Sequence, residues 1–305
     1  MNVFKFGGAS VRDAEGVRNL LQILNTQKTN LIIVVSAMGK MTDALEKVCN
    51  YYFHKSAEAW TALEDVKNFH RNIVSQLFGD QEKEIYTRLD TLVQELEEIL
   101  NSEPSLSYDY EYDRIVSFGE LFSSAIVGAY LNKQGRKIKL IDIRKCLKTD
   151  ETYRNANVNI ELSNLLCHKT FTFQDTFMYL TQGFIAGTST NQTTTLGREG
   201  SDYTAAILAN LLDAENVTIW KDVPGIMSAD PKLYTDTEVL PKLSYREAIE
   251  LSNFGAKVIH PKTIKPLQNK KIPLFVKSFL HKEEHGSVIR ELEEKLKLPP
   301  IYINK

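Results

Sequence analysis

The chain has 305 residues, 43% hydrophobic and 25% charged, an ordinary globular composition with enough length to bury a substantial core. Its 37 basic and 39 acidic residues leave a formal net charge of −2, too weak a field to gather nucleic acid or an anionic membrane surface. Cys49, Cys146 and Cys167 are odd in number and far apart, which excludes a disulfide framework or a zinc pattern and points to a reducing compartment.

The N-terminus opens at once on a strand pattern in place of a signal peptide, and no apolar run approaches the ~20 residues of a membrane span. A cytoplasmic location is expected. In chain order, short apolar, β-branched runs at 2–6, 31–36, 137–141, 178–184, 217–220 and 272–278 predict strands of a mainly parallel sheet covered on both faces. Helical spacing at 14–24 and 204–212 supplies crossovers. Between about 41 and 100 the pattern changes to long charged amphipathic helices, read as an insertion or lid. Its stripe of Trp60, Leu63, Val66, Phe69 and Ile73 is expected to pack on the sheet domain. The segment 101–113, with Pro104 and several Ser and Tyr residues, reads as a mobile loop. Further on, Ser244-Tyr245-Arg246-Glu247 is a capping box whose helix runs towards Asn253, and Pro261 and Pro266 punctuate a short helix before the last strong strand.

Three segments carry candidate chemistry. Lys5-Phe6-Gly7-Gly8-Ala9-Ser10 runs from a strand into two glycines ahead of a helix. That arrangement suits a phosphate loop with Lys5 neutralising a phosphoryl group, or equally a tight turn with a solvated lysine. Thr193-Thr194-Thr195-Leu196-Gly197-Arg198-Glu199-Gly200-Ser201-Asp202-Tyr203 gathers hydroxyls, glycines, an arginine and an aspartate at a helix start, more polar chemistry than a connector needs. Arg198 offers a planar fork for a carboxylate, and Asp202 is either a first-turn helix residue or part of the site. The loop from Lys221 and Asp222 through Met227 to Lys232 follows a strand, where ligands of open parallel sheets sit; Lys257 is a further phosphate candidate. No P-loop, dinucleotide fingerprint or protein-kinase catalytic loop is present. His281-Lys282-Glu283-Glu284-His285 matches a bare metalloprotease pattern but reads better as a charged turn. No metal site is expected.

In this order, Lys5-Phe6-Gly7-Gly8, Gln182-Gly183-Phe184, the 193–203 block, Trp220-Lys221-Asp222-Val223-Pro224-Gly225 and Phe254-Gly255-Ala256-Lys257-Val258-Ile259-His260-Pro261 resemble the catalytic domain of the aspartate kinases, within the amino-acid kinase family. The resemblance covers nearly the whole chain. It implies a three-layer α/β/α sandwich. The N-terminal lobe, 1–195 with the insertion, would hold the amino acid, and the C-terminal lobe, 196–305, would hold MgATP. The implied reaction moves the γ-phosphoryl of ATP to the side-chain carboxylate of L-aspartate, the first step towards lysine, threonine and methionine. Residue by residue, the likeness implies that Lys5 stabilises the phosphoryl group, the Gly7-Gly8 backbone cradles phosphates and Asp202 orients Lys5. Ser36, Thr42, Glu120, Phe184, Arg198 and Ser201 would bind the amino acid, Glu120 at its amine and Arg198 at its α-carboxylate. Lys5, Gly7, Gly8, Ala9, Ser10, Lys221, Asp222, Met227, Lys232 and Lys257 would contact the nucleotide, with Mg2+ held mainly through the ATP phosphates. Ala9, Lys221 and Met227 depart from the family's common Thr, Thr and Tyr. The chain ends at Lys305, so no complete regulatory ACT domain, and no lysine or threonine feedback site, is expected. Homo-oligomerisation is left open. The competing readings are a kinase of the same fold for glutamate, N-acetylglutamate or a nucleotide, and a catalytically silent sensor.

Overall fold

The computed structural model describes residues 1–79, 82–228, 237–253 and 259–292. The chain opens with β1 (Asn2–Phe6), a short 3-10 turn (Gly8–Val11), α1 (Ala14–Leu24) and β2 (Leu31–Val35). β2 reads Leu-Ile-Ile-Val-Val and every residue is buried, as a parallel strand covered on both faces requires. α1 starts where the Asp13 carboxylate accepts from Gly16 N at 2.8 Å, and it buries Val17, Leu20, Ile23 and Leu24 along one stripe. Then come α2 (Met41–Phe53), α3 (Glu58–Phe78) and α4 (Lys83–Leu100), the helical insertion expected from the charged amphipathic pattern. Within α3, Leu63, Val66 and Ile73 are buried. Trp60 is 42% exposed and so lies outside the packing stripe assigned to it.

The segment read as a loop is not one throughout. α5 (Tyr108–Val116) begins there, capped by Ser107 Oγ accepting from Tyr110 N. Its polar composition hid it, because its inward positions Glu111 and Asp113 are fully buried carboxylates with distant or helical partners. Ser117 links it to α6 (Phe118–Lys133), most of which is buried. The joined stretch Tyr108–Lys133 is long and apolar enough to cross a membrane by length and composition, but 89% of its most apolar window is buried inside the fold.

The chain continues with β3 (Ile138–Ile141), β4 (Lys148–Thr149), α7 (Ile160–Thr170), β5 (Met178–Gln182), β6 (Ile185–Thr188) and β7 (Thr193–Thr195). It ends with α8 (Gly200–Leu211), β8 (Asn216–Lys221), β9 (Lys242–Leu243), α9 (Tyr245–Asn253), α10 (Pro261–Asn269), β10 (Leu274–Ser278) and β11 (Ser287–Ile289). The capping box holds: Glu247 accepts from Ser244 N at 2.7 Å and Ser244 Oγ from Glu247 N at 3.2 Å. The 281–285 run is a turn, with Glu284 N donating to the His281 carbonyl.

Eight strands form one sheet in the order β3-β5-β2-β1-β8-β10-β11-β9. The first six are parallel to one another, and β11 is antiparallel to β10. A second sheet, β4-β6-β7, stands apart. Register aligns Phe6 with Val35 and Trp220, and Val35 with Gln182, so these side chains share one face. There Gln182 Nε2 donates to Ser124 Oγ of α6 at 2.7 Å, and the Phe6 and Trp220 rings stack 6.0 Å apart. Lys5, one residue earlier, points to the opposite face, where α8 packs. The architecture is thus a largely parallel sheet between helical layers.

Candidate active site

Parallel strands end together, so the residues following β1, β2 and β8 meet at one edge of the sheet. A cavity of about 480 Å3 opens there. Of the residues singled out in the sequence, Lys5, Gly8, Ser36, Thr42, Glu120, Phe184, Arg198, Ser201, Asp202 and Lys221 line it. The N-terminal lysine-glycine loop and the start of α8 therefore face one another across one cleft.

Lys5 sits between β2 and β8 near the sheet centre and is only 8% exposed. Its Nζ lies 2.6 Å from Asp202 Oδ1, and Lys221 Nζ lies 3.5 Å from Asp202 Oδ2. Asp202 stands in the first turn of α8, where the N-terminal dipole favours an anion. Burial opposes its charge, but Lys5 and Lys221 outweigh burial and hold the carboxyl below its ordinary range. α8 opens at Gly200, earlier than the apolar spacing indicated, and this is what puts Ser201 and Asp202 on the helix.

The loops after β1 and β2 are locked together. Gly39 N donates to Gly8 O at 3.0 Å, and a Cβ on Gly8 would stand 2.8 Å from both the Ala37 and the Gly39 carbonyl oxygens. Ala37 N donates to Glu120 Oε1 at 3.1 Å, while Glu120 Oε2 is buried with no hydrogen-bond partner. Burial pushes the Glu120 carboxyl up to about 8, against the Ala37 bond and the nearby Lys5 charge.

Several residues expected at the nucleotide do not line this cavity. Gly7 adjoins the cavity, since a Cβ there would meet Lys5 Nζ at 3.3 Å. Ala9 is exposed, Asp222 is exposed, and Met227 bridges to Val239; none of the three lines the cavity. Ser10 is 2% exposed and its hydroxyl donates to the Trp220 carbonyl, so it ties the loop to β8 and presents no donor to the cleft. The hydroxyls of Thr193, Thr194 and Thr195 also turn away from α8. They meet Arg144 Nη1, Thr149 Oγ1 and Asp113 Oδ1. Lys232 and Lys257 lie outside the described residues.

Sequence reasoning missed Tyr112, Arg154 and Glu199, which also line the cavity. Arg154 (φ 64), Phe184 (φ 67) and Glu199 (φ 54) all occupy the left-handed region, joined there by Gly39 and Gly197. Such backbone is costly for a residue with a Cβ and gathers where function constrains the chain. Phe184, Gly197 and Glu199 lie inside motifs read from the sequence, whereas no local sequence signal marks Tyr112 or Arg154.

Among the described residues no group of three or more His, Cys, Asp and Glu side chains could hold a metal ion. The sequence model of the amino acid kinase family matches residues 1–278. An aspartokinase of Chlamydia pneumoniae is 32% identical over 299 residues, covering 98% of this chain and 64% of that protein. The lysine-sensitive aspartokinase 3 of Escherichia coli (strain K12) is 32% identical over 304 residues, covering 98% and 66%. The crystal structure of E. coli aspartokinase III in complex with aspartate and ADP superposes with a TM-score of 0.87 at 29% identity, covering 96% of this chain and 65% of that one. The chain thus spans about two thirds of the length of these relatives, and about a third of a bifunctional aspartokinase/homoserine dehydrogenase of Arabidopsis thaliana.

Proposed function

The chain belongs to the amino acid kinase family, and from that premise we propose that it transfers the γ-phosphoryl group of ATP to the side-chain carboxylate of L-aspartate, giving 4-phospho-L-aspartate and ADP. One observation carries the reading. A single cavity joins two lysines paired to a buried aspartate with a buried carboxylate whose second oxygen has no partner. A phosphoryl donor fits the first feature and an ammonium group fits the second.

In this scheme Glu120 takes the substrate amine, and Arg198, which makes no hydrogen bond or ion pair among the described residues, takes the α-carboxylate. Gripping both ends of the zwitterion leaves the side-chain carboxylate to face Lys5. One of its oxygens attacks the γ-phosphorus in line, the bond to the β,γ-bridging oxygen breaks, and ADP leaves with that electron pair. The nucleophile is already ionised at neutral pH, so no general base is needed. Lys5 Nζ supports the charge spreading over the phosphoryl oxygens, the Gly7-Gly8 backbone lies beside them, and Asp202 orients Lys5 and Lys221 without taking a proton. Mg2+ bound to the triphosphate would supply charge neutralisation there. In this reading the N-terminal lobe, 1–195, is mainly the amino-acid side of the cleft and 196–305 mainly the nucleotide side, with Arg198 reaching the amino acid and Lys5, Gly7 and Gly8 reaching the phosphates from across the boundary. The two bacterial relatives are aspartokinases, and this, with the aspartate and ADP in the superposed E. coli crystal structure, supports the same substrates.

The test is ADP release from the chain with L-aspartate, L-glutamate and N-acetylglutamate in parallel. Turnover with L-aspartate at least tenfold above the others is expected. Turnover with glutamate or N-acetylglutamate alone, or aspartate binding without ADP release, overturns the assignment.

A further inference from the structure

Resting on the aspartate reading, we propose that Arg154 is a second carboxylate-recognition residue, which together with Arg198 forms a two-arginine clamp on the substrate α-carboxylate. Arg154 lies on the loop between β4 and α7, far in sequence from every motif of the site, yet it lines the cavity.

Its backbone is held in the left-handed region at φ 64, which an arginine does not choose for itself. The conformation is enforced by Asp113, a fully buried carboxylate on α5. Arg154 N donates to both Asp113 oxygens, at 3.2 and 3.0 Å, and the same carboxylate accepts from Thr195 N at 2.8 Å and Thr195 Oγ1 at 2.7 Å. Ala156 N then donates to Thr195 O at 2.9 Å, and Gly197 packs so closely on Asn155 that a Cβ would meet Asn155 Oδ1 at 2.7 Å. The Arg154 loop and the segment leading to Arg198 are therefore one rigid unit, clamped by one carboxylate. A turn that merely connects β4 to α7 needs none of this.

The guanidinium is oriented but not consumed. It lies 4.2 Å from the Tyr112 ring centroid and 5.8 Å from that of Tyr108, cation–π contacts that hold it in place without supplying the carboxylate a guanidinium fork takes best. Its ion pairs to Glu46 and Asp109 are both 3.5 Å long, well beyond the 2.7–2.9 Å of a committed charge-assisted bond, and the side chain is 42% exposed. Glu46 also tells which end of the cavity this is. It stands one turn after Thr42 on α2, on the same helix face, so Arg154 belongs to the Thr42 end and not to the Lys221 end. The carboxylate presented there is the one that does not react, since the reacting carboxylate must face Lys5.

The experiment compares the chain with Arg154→Gly and Arg154→Lys, measuring dissociation constants for L-aspartate and for β-alanine, which keeps the amine and the reacting carboxylate but lacks the α-carboxylate. Glycine suits φ 64, so Arg154→Gly is expected to fold with an unchanged or higher melting temperature. It should weaken L-aspartate binding about 10- to 100-fold, the range for a lost charged hydrogen bond, while changing β-alanine binding by less than about threefold. Arg154→Lys should recover part of the loss. KM for L-aspartate should follow the dissociation constant, with KM for ATP held within about twofold. The proposal is overturned if L-aspartate affinity stays within about twofold of the parent, or if both ligands weaken in the same proportion, as a purely structural role would give. If the parent chain itself fails to bind L-aspartate, the substrate assignment falls and takes this residue's role with it, an outcome distinct from parent binding with an indifferent variant.

Discussion

Glu120 sets the pH behaviour of the cleft. Its folded value of about 8 stands above the ordinary 4.5 because burial disfavours the charged form, so the empty protein holds the carboxyl protonated at neutral pH. Pairing with an ammonium group requires the carboxylate, so substrate binding expels a proton. Affinity for L-aspartate should therefore rise by up to roughly tenfold per pH unit between pH 6 and 7.5 and level off near 8. Calorimetry in two buffers of different ionisation enthalpy should show proton release on binding. The stability sign is opposite: the folded state binds more protons than the unfolded one between 4.5 and about 8, so the unliganded chain loses stability as pH climbs through that window. Glu120→Gln should flatten both profiles and weaken binding; a pH-independent aspartate affinity in the parent would remove Glu120 from the amine site. Lys5 acts on the other reactant. Lys5→Met should lower kcat by about 10²- to 10³-fold, the scale of one lost transition-state charge contact, with KM for L-aspartate within a few-fold. Near-normal kcat would show that the Lys5–Asp202 pair, 2.6 Å apart, is structural.

At the scale of elements, the cleft depends on two loops held at van der Waals limits. Gly8 has the Ala37 and Gly39 carbonyl oxygens each 2.8 Å from where a Cβ would be, and both are backbone atoms that no rotamer change can move. Gly8→Ala must separate the loops that follow β1 and β2. A loss of about 1–3 kcal/mol in unfolding free energy is expected from overpacking. Activity should fall further, by about 10²-fold, since a shift near 1 Å spoils alignment. Ala9→Thr, one residue on at an exposed position, should stay within about 0.5 kcal/mol and serves as the control. Denaturant titration and kcat together read both effects; an unaffected Gly8→Ala enzyme would mean the loops are free to part. The same elements show what sequence can reveal. β1, β2 and α1 were legible almost to the residue, because short, mostly apolar runs encode the strands and a helical apolar spacing encodes α1 locally. α5 was not, because Glu111 and Asp113 occupy its buried positions, where the Arg114 guanidinium, the Arg154 backbone N–H and the Thr195 hydroxyl satisfy them. β7 was hidden likewise: its three threonine hydroxyls look like site chemistry until Arg144, Thr149 and Asp113 are seen to take them.

Across the whole molecule, the cavity is assembled from segments near residues 5, 36–42, 112–120, 154, 184, 197–202 and 221. Lys5 and Asp202 were legible as site residues because motifs surround them, whereas Arg154 is held in place by partners distant in sequence, among them a carboxylate 41 positions earlier in the chain. These segments are scattered along the chain and are brought together only by folding, so ligands recognise the folded state alone. Each ligand then stabilises by about 2.7 kcal/mol at 100 times its dissociation constant, which for a chain of this size is a rise of roughly 5 °C in melting temperature. L-Aspartate and MgADP, occupying opposite ends of the cleft, should raise it by nearly additive amounts. Arg198→Ala should abolish the aspartate shift and keep most of the MgADP shift, because Arg198 makes no bond among the described residues whose loss would loosen the fold. Lys221→Ala should act the other way, reducing the MgADP shift while Arg198 still holds the amino acid. Thermal melts of the parent and the two variants, each with either ligand and with both, give the full set. If neither ligand moves the parent's melting temperature, or if the two variants lose the same shift, the cavity does not have an amino-acid end and a nucleotide end.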